Sequence, residues 1–333
     1  MKWVCILVSL ISLSLVTGCS KVKPAATQSH KQNSTLAPLG SLQQCQQYSG
    51  LPEAWQNSKT AGMVWIPEGS FQLGSNLAYP DELNFGQAQR QVTGFWIDQT
   101  EVTVAQFSSF VKATGYITDA EKQKQAAVFS PDANNPKQWW QLKADYTWKN
   151  PNGPAGKAPL PSEPVRYVTK NDAEHYAVWL GRDLPTEQEW EYAAKAGSKS
   201  DTPLHQAPQD THQHPQANYW QGEFPFDNTV EDHFQSVAPV GCYASNAFKL
   251  FDMIGNVWEW TSSAYHGAHD QHMGNYAELR QQNSTATQYV LKGGSFLCAS
   301  NFCARYRNSS RYPQEFDLAA THVGFRTILR TVE

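Results

Sequence analysis

Cysteine is scarce, charge is scarce, and long apolar runs are missing beyond the first twenty residues. Six cysteines among 333 residues exclude a disulfide-dense scaffold. Charged residues make up 17% of the chain, below the ~25% usual for soluble domains. Lys plus Arg number 26 against 30 Asp plus Glu, and the net charge of -4 supplies no whole-molecule field for nucleic acid or anionic lipid. The composition fits neither a disordered chain nor a coiled coil, and no repeat period marks a solenoid. What is plentiful is aromatic surface, with 12 Trp, 14 Tyr and 15 Phe available for packing or recognition.

The one apolar run, Trp3 to Val16 after Lys2, is shorter than the ~20 residues of a membrane-spanning helix and reads as an export signal. It ends in Val16-Thr17-Gly18-Cys19, which resembles a bacterial lipobox and implies lipidation of Cys19. Residues 1–18 are therefore expected as signal peptide and 19–60 as a lipidated flexible tether, since Ser20 to Gln56 is rich in Ser, Gln, Lys, Thr and Pro without a sustained apolar period. The predicted address is the cell envelope, with the protein held at a membrane by its lipid and facing the periplasm or exterior.

Cys45, Cys242, Cys298 and Cys303 remain for pairing or metal binding. Cys45 with Cys242 is a plausible staple between the end of the tether and the domain. Cys298 and Cys303 are too widely spaced for the common Cys-x2-Cys zinc pattern and have no second ligand pair nearby, so spacing alone leaves a local disulfide open.

From Gly62 the chain reads as one domain, residues 61–333, with few helices. Three are predicted: after Thr103 and ending at Gly115, after Thr169 and ending at Gly181, and after the capping box Thr186-Glu187-Gln188-Glu189 and ending at Gly197. With so little regular structure, buried backbone groups must be satisfied by turns, side chains or bound ions, and calcium suits that task.

Several segments together resemble the formylglycine-generating enzyme, or sulfatase-modifying factor, family. They are Gly62-Met63-Val64-Trp65-Ile66-Pro67-Glu68-Gly69-Ser70-Phe71, Phe95-Trp96-Ile97-Asp98, Thr100-Glu101-Val102-Thr103, Leu184-Pro185-Thr186-Glu187-Gln188-Glu189-Trp190-Glu191-Tyr192, Gly255-Asn256-Val257-Trp258-Glu259-Trp260 and Gly324-Phe325-Arg326. The resemblance implies an α+β, C-type-lectin-like fold with little regular secondary structure. Lys292 to Arg307 matches the catalytic segment of the family's oxidases, which implies that Cys298 and Cys303 bind Cu(I). The implied activity is oxidation of the cysteine in a sulfatase Cys-x-Pro-x-Arg motif to formylglycine by O2, on an unfolded or nascent sulfatase. Two thiolates on one short loop suit soft Cu(I) and leave room for a third from substrate.

By the same resemblance Ser295 lies beside the oxygen site and Trp258 forms an aromatic wall, although alone they read as a turn residue and a core aromatic. Asn218, Tyr219, Asp232 and Phe234 match one structural Ca2+ site, and Asp252, Gly255, Val257 and Glu259 a second. The chain departs from familiar members at Ala299, where a His is frequent, at Phe302, where a Tyr is frequent, and at His322, where an Asn is frequent. The first two changes remove polar groups near the metal and the third alters a substrate contact. His266, His269 and His272 read as solvated loop residues, and the sequons at Asn33, Asn283 and Asn308 as chance matches. The alternative from a different class is a non-catalytic lectin-like lipoprotein that binds a protein or glycan, its late cysteines tied in a disulfide. A relative of iron-dependent sulfoxide synthases is the weaker third reading, because no helical domain with His ligands accompanies the fold.

Overall fold

In this computed structural model the described residues are 39–83, 89–132, 135, 138–199, 202–265 and 288–331. Cys19, His266, His269, His272, Asn33 and Asn283 lie outside them. Among the described residues no helix is long and apolar enough to cross a membrane.

The order of elements is α1 (Leu42–Gln47), β1 (Met63–Ile66), β2 (Gly69–Phe71), β3 (Arg90–Val92), β4 (Phe95–Asp98), α2 (Val104–Thr114), α3 (Asp119–Gln123), β5 (Ala126–Phe129), β6 (Trp140–Lys143), α4 (Lys170–Trp179), α5 (Glu187–Lys195), β7 (Trp258–Ala264), β8 (Gln288–Lys292), β9 (Arg311–Glu315), β10 (Val323–Gly324) and β11 (Ile328–Arg330). This is an α+β arrangement of short elements joined by long connections.

The predicted helix starts hold. Thr103, Thr169 and Thr186 each cap their helix, and Gln106, Asp172 and Glu189 three residues on complete reciprocal capping boxes. α2 stops where Gly115 turns left-handed, whereas α5 ends one residue before the expected Gly197, on Ala196 in the same conformation. The folded region begins upstream of 61. Ser41 caps α1, and Cys45 is fully buried in a disulfide with Cys242 across 197 residues of chain. That crosslink joins the buried residue of α1 to the domain.

Two sheets carry the domain. β1, β4 and β11 form an antiparallel sheet in the order β1-β4-β11, and β10-β7-β8-β9 forms a second in which only the β10 and β7 pair is parallel. α5 packs between them through Trp190, Ala193 and Ala194, against Val64, Ile66, Phe95 and Ile97. The larger core gathers Phe107, Tyr176, Trp258, Trp260 and Phe325. Phe107 meets Tyr176 in a stack at 5.8 Å and Phe325 edge-on at 6.4 Å, the offset and T-shaped geometries that aromatic quadrupoles favour. The aromatic abundance of the sequence is therefore spent mainly on the interior.

Gly324-Phe325-Arg326 joins the two sheets, because β10 belongs to one and β11 to the other. Arg326 grips Glu259 of β7 with two hydrogen bonds of 2.7 Å and donates to the Phe251 carbonyl at 3.0 Å. Both side chains are buried, and the fork geometry satisfies the carboxylate on both oxygens.

Candidate active site

The segment between β8 and β9 is the loop that carries both late cysteines. Lys292 ends β8 with its ammonium buried on Glu191 at 2.8 Å and on the Ser309 carbonyl at 3.1 Å. Gly294 then turns at φ +84°, where a Cβ would lie 2.1 Å from the Arg305 carbonyl oxygen. Only glycine permits this crossing, which folds the loop back on itself. Trp220 donates its amide to the Cys298 carbonyl at 2.9 Å, and Phe296 donates to the Asn256 carbonyl at 2.9 Å. Tyr79 Oη accepts the Ala304 amide at 3.1 Å. The loop is irregular yet fixed along its length.

Cys298 and Cys303 are both buried and neither is disulfide-bonded; the local disulfide left open by their spacing is not formed. Burial disfavours the Cys298 thiolate, but a hydrogen bond with the Cys303 thiol, the Ser295 and Arg305 amides and the positive charge of Arg305 together hold its pKa below the ordinary thiol value. The Ser295 amide lies 3.4 Å from the Cys298 sulfur.

A small pocket opens on these sulfurs, lined by Trp140, Phe224, Trp258, Ser295, Phe302 and His322 among others. β7 begins at Trp258 and β10 directly after His322. The Trp258 amide donates to the His322 carbonyl at 2.8 Å, so the paired strand ends bring an aromatic wall and an imidazole to one place. The Trp258 indole N–H is buried without an acceptor, which is costly unless a small polar guest accepts from it. Ser295 Oγ accepts the Leu297 amide and lies 3.2 Å from His322 Nδ1. Burial pushes the His322 pKa down to about 3, so the ring is neutral at ordinary pH.

Ser295, Trp258, Cys298 and Cys303 thus line one pocket. The three departures resolve differently. Ala299 is buried, and Phe302 stacks on Phe224 at 4.7 Å while meeting Trp139 edge-on at 4.8 Å, an apolar solution needing no hydroxyl partner. His322 is only 2% exposed and faces Ser295 and the Trp140 ring, an interior position that its sequence neighbours did not disclose.

Of the two sets of oxygen donors, the first is drawn together around Asp232, while in the second Glu259 is taken by Arg326 and Trp190 and Asp252 accepts the Gly241 amide. Asp232 accepts the Tyr219 amide at 3.3 Å and the Phe234 amide at 2.9 Å, and Asn218 Oδ1 beside them is buried without a partner. The Gln221 amide nitrogen donates to both the Tyr219 carbonyl and Asp232 Oδ2. In the second set, Gly255 takes φ +80° with its Cα facing the Asn218 carbonyl, where a Cβ would come within 2.3 Å. Asp252, its pKa pushed up to about 6 by burial, and Glu259 share a region with Glu101. Burial first, and then the charges of Asp252 and Glu259, drive the Glu101 carboxyl well above its usual range. Against these carboxylates the buried cation is Arg326. Among the described residues no group of three or more His, Cys, Asp or Glu side chains converges on a point.

Comparison with known proteins agrees with this geometry. Residues 48–331 match the family described as sulfatase-modifying factor enzyme 1-like domain. The chain belongs to that family. It is 37% identical over 292 residues to the formylglycine-generating enzyme of Mycobacterium tuberculosis, covering 80% of this chain and 97% of that one. It is also 34% identical to the inactive Cα-formylglycine-generating enzyme 2 of Bos taurus, over 81% of this chain and 88% of the relative. Among solved structures, PvdO from Pseudomonas aeruginosa shares the fold with a TM-score of 0.55 at 24% identity, over 82% of this chain and 96% of that one. Sulfatase-modifying factor relatives therefore include active and inactive proteins at similar identity, and the site must separate them.

Proposed function

We propose that this protein is a formylglycine-generating oxidase that converts the cysteine of a sulfatase Cys-x-Pro-x-Arg segment to formylglycine with O2. The observation that carries this reading is the pair of buried, unbridged thiols Cys298 and Cys303 sharing one pocket with Ser295 and Trp258. A structural role would not require two reduced sulfurs at hydrogen-bonding distance in a protein that closes its other cysteine pair as a disulfide.

The donor set fits a soft univalent ion: two sulfurs, one of them held toward thiolate, in a pocket lined by no carboxylate. Cu(I) held by Cys298 and Cys303 would supply one-electron chemistry toward oxygen and a place for the substrate thiolate. The residues do the rest. Phe224, Phe302 and Trp140 keep the pocket apolar, which favours a peptide entering with its cysteine desolvated. The Ser295 hydroxyl and the unpartnered Trp258 N–H offer donors to oxygen atoms as they gain charge. The reaction balances when the cysteine CH2SH group and O2, with two electrons and two protons from a thiol reductant, give the aldehyde, hydrogen sulfide and one water.

Ca2+ is proposed in both oxygen sets, through Asn218, Tyr219, Asp232 and Phe234 and through Asp252, Gly255, Val257 and Glu259. The partnerless Asn218 oxygen and the excess of buried carboxylates near Arg326 support it. Lipidation at Cys19 and a place in the cell envelope complete the reading, with an incompletely folded sulfatase as the partner whose cysteine is still reduced.

The test is to supply full-length protein with Cu(I), O2, a thiol reductant and a Cys-x-Pro-x-Arg peptide. The peptide should lose ~18 Da as CH2SH becomes CHO. Absence of product from folded, copper-loaded protein would favour the binding module instead.

A further inference from the structure

Ser295 Oγ sits in a fully buried site with two neighbours that decide where its proton goes. The Leu297 amide donates to Oγ at 3.2 Å, which fills one lone pair. His322 Nδ1 stands at 3.2 Å on the other side. A serine hydroxyl carries one proton and two lone pairs, so the imidazole tautomer sets the outcome. If Nδ1 accepts, serine spends its only proton on the histidine and has no donor for the pocket. If Nδ1 donates, both lone pairs are occupied and the hydroxyl proton is left to the pocket that contains the two sulfurs.

We infer that His322 is the positioning residue for Ser295, donating its Nδ1 proton to Oγ so that the serine hydroxyl turns its own proton into the thiol pocket. The imidazole is well fixed for this task. Its carbonyl accepts the Trp258 amide at 2.8 Å, and its ring lies against Trp140 with centroids 4.8 Å apart. The preceding Thr321 is tied to β5, its amide donating to the Ala127 carbonyl at 3.0 Å and its hydroxyl oxygen accepting the Phe129 amide at 2.9 Å. The ring is neutral and shielded, so neither bulk water nor a second proton on the imidazole competes for Oγ. His322 thus stands behind Ser295, acting through it on the reacting oxygen atoms. This role rests on the oxidase reading for its kinetic consequence, while the tautomer stands independently of it.

Histidine-selective 15N NMR of the full-length protein without copper tests the tautomer at pH 7. The His322 signals, assigned by their loss in His322→Asn, should show a neutral ring protonated at Nδ1; protonation at Nε2, or at both nitrogens, overturns the inference. Kinetics supply the second arm. His322→Leu should lower kcat about 10–100-fold, less than the ~100–1,000-fold for removing a positioned donor outright because the serine hydroxyl remains, with KM for the peptide within about threefold. His322→Asn, whose amide nitrogen can take the place of Nδ1, should restore most of that loss. In a Ser295→Ala background His322→Leu should cost nothing further, and an equal loss in both backgrounds would make His322 merely structural and overturn the inference. An inactive wild-type protein would instead refute the oxidase reading and leave the NMR result to judge the tautomer.

Discussion

Arg305 Nη1 lies 2.7 Å from Glu82 Oε1, joining the residue two places beyond Cys303 to a turn 223 positions earlier. Arg307 grips the other oxygen of Glu82 at 2.5 Å, and Asp81 takes Arg305 at 2.9 Å. Both arginines stack over Tyr79, at 4.5 and 5.4 Å from its ring centroid. The late thiol loop is therefore clamped from one side by the Tyr79 to Glu82 turn.

Glu82→Gln should break the clamp while keeping its shape. Two buried guanidinium groups would lose a charged partner, and removing one member of a buried ion pair costs about 3–5 kcal/mol. Urea unfolding of wild type and variant measures this directly, and a change below about 1 kcal/mol would mean that Asp81 alone suffices.

Cys45→Ala should destabilise the domain by about 2–5 kcal/mol, since the Cys45 to Cys242 bond closes a long loop in the unfolded chain. Alkylation in the absence of reductant should label Cys298 and Cys303 once the protein is unfolded. A melting temperature equal to that of wild type would show that α1 is held by packing alone.

Calcium should stabilise the fold by mass action, contributing about 2.7 kcal/mol at a free concentration a hundredfold above its dissociation constant. Thermal unfolding with Ca2+ and with chelator checks this. Asp232→Asn should reduce the shift, because it removes the charged member of the first oxygen set. Identical melting with and without Ca2+ would contradict the assignment.

His322 predicts an acid sensitivity. Its native pKa is pushed down to about 3 by burial, whereas an unfolded histidine titrates near ~6.5. Below the unfolded value the unfolded chain binds a proton that the native chain does not, so stability falls as pH drops from ~6.5 toward ~3, and above ~6.5 this group contributes no slope. The loss reaches about 2 kcal/mol by pH 5. His322→Asn should flatten the difference between denaturation curves at pH 7 and pH 5, and parallel curves in wild type and variant would refute it.

The helix starts were readable because capping is local: Thr103, Thr169 and Thr186 each answer to a residue three positions on. Ser295, Trp258, Cys298 and Cys303 were readable through the resemblance of their segments to a family, with no help from periodicity. α1 was hidden within the expected tether because its anchor, Cys242, lies far along the chain. The Glu82 clamp was hidden for the same reason, as no spacing rule links residues so distant in sequence. His322 appeared as an isolated substitution, since its meaning depends on β7 and β10 pairing in parallel to bring it beside Ser295. What a sequence encodes through long-range pairing is visible only once the pairing is known.

Cys298 and Cys303 are proposed to act together as a soft-metal site. Copper K-edge X-ray absorption of protein loaded with Cu(I) under nitrogen tests it most directly. Scattering from sulfur neighbours should appear and be lost in Cys298→Ser/Cys303→Ser; a nitrogen and oxygen environment, or a spectrum unchanged by the double substitution, would rule the sulfur site out.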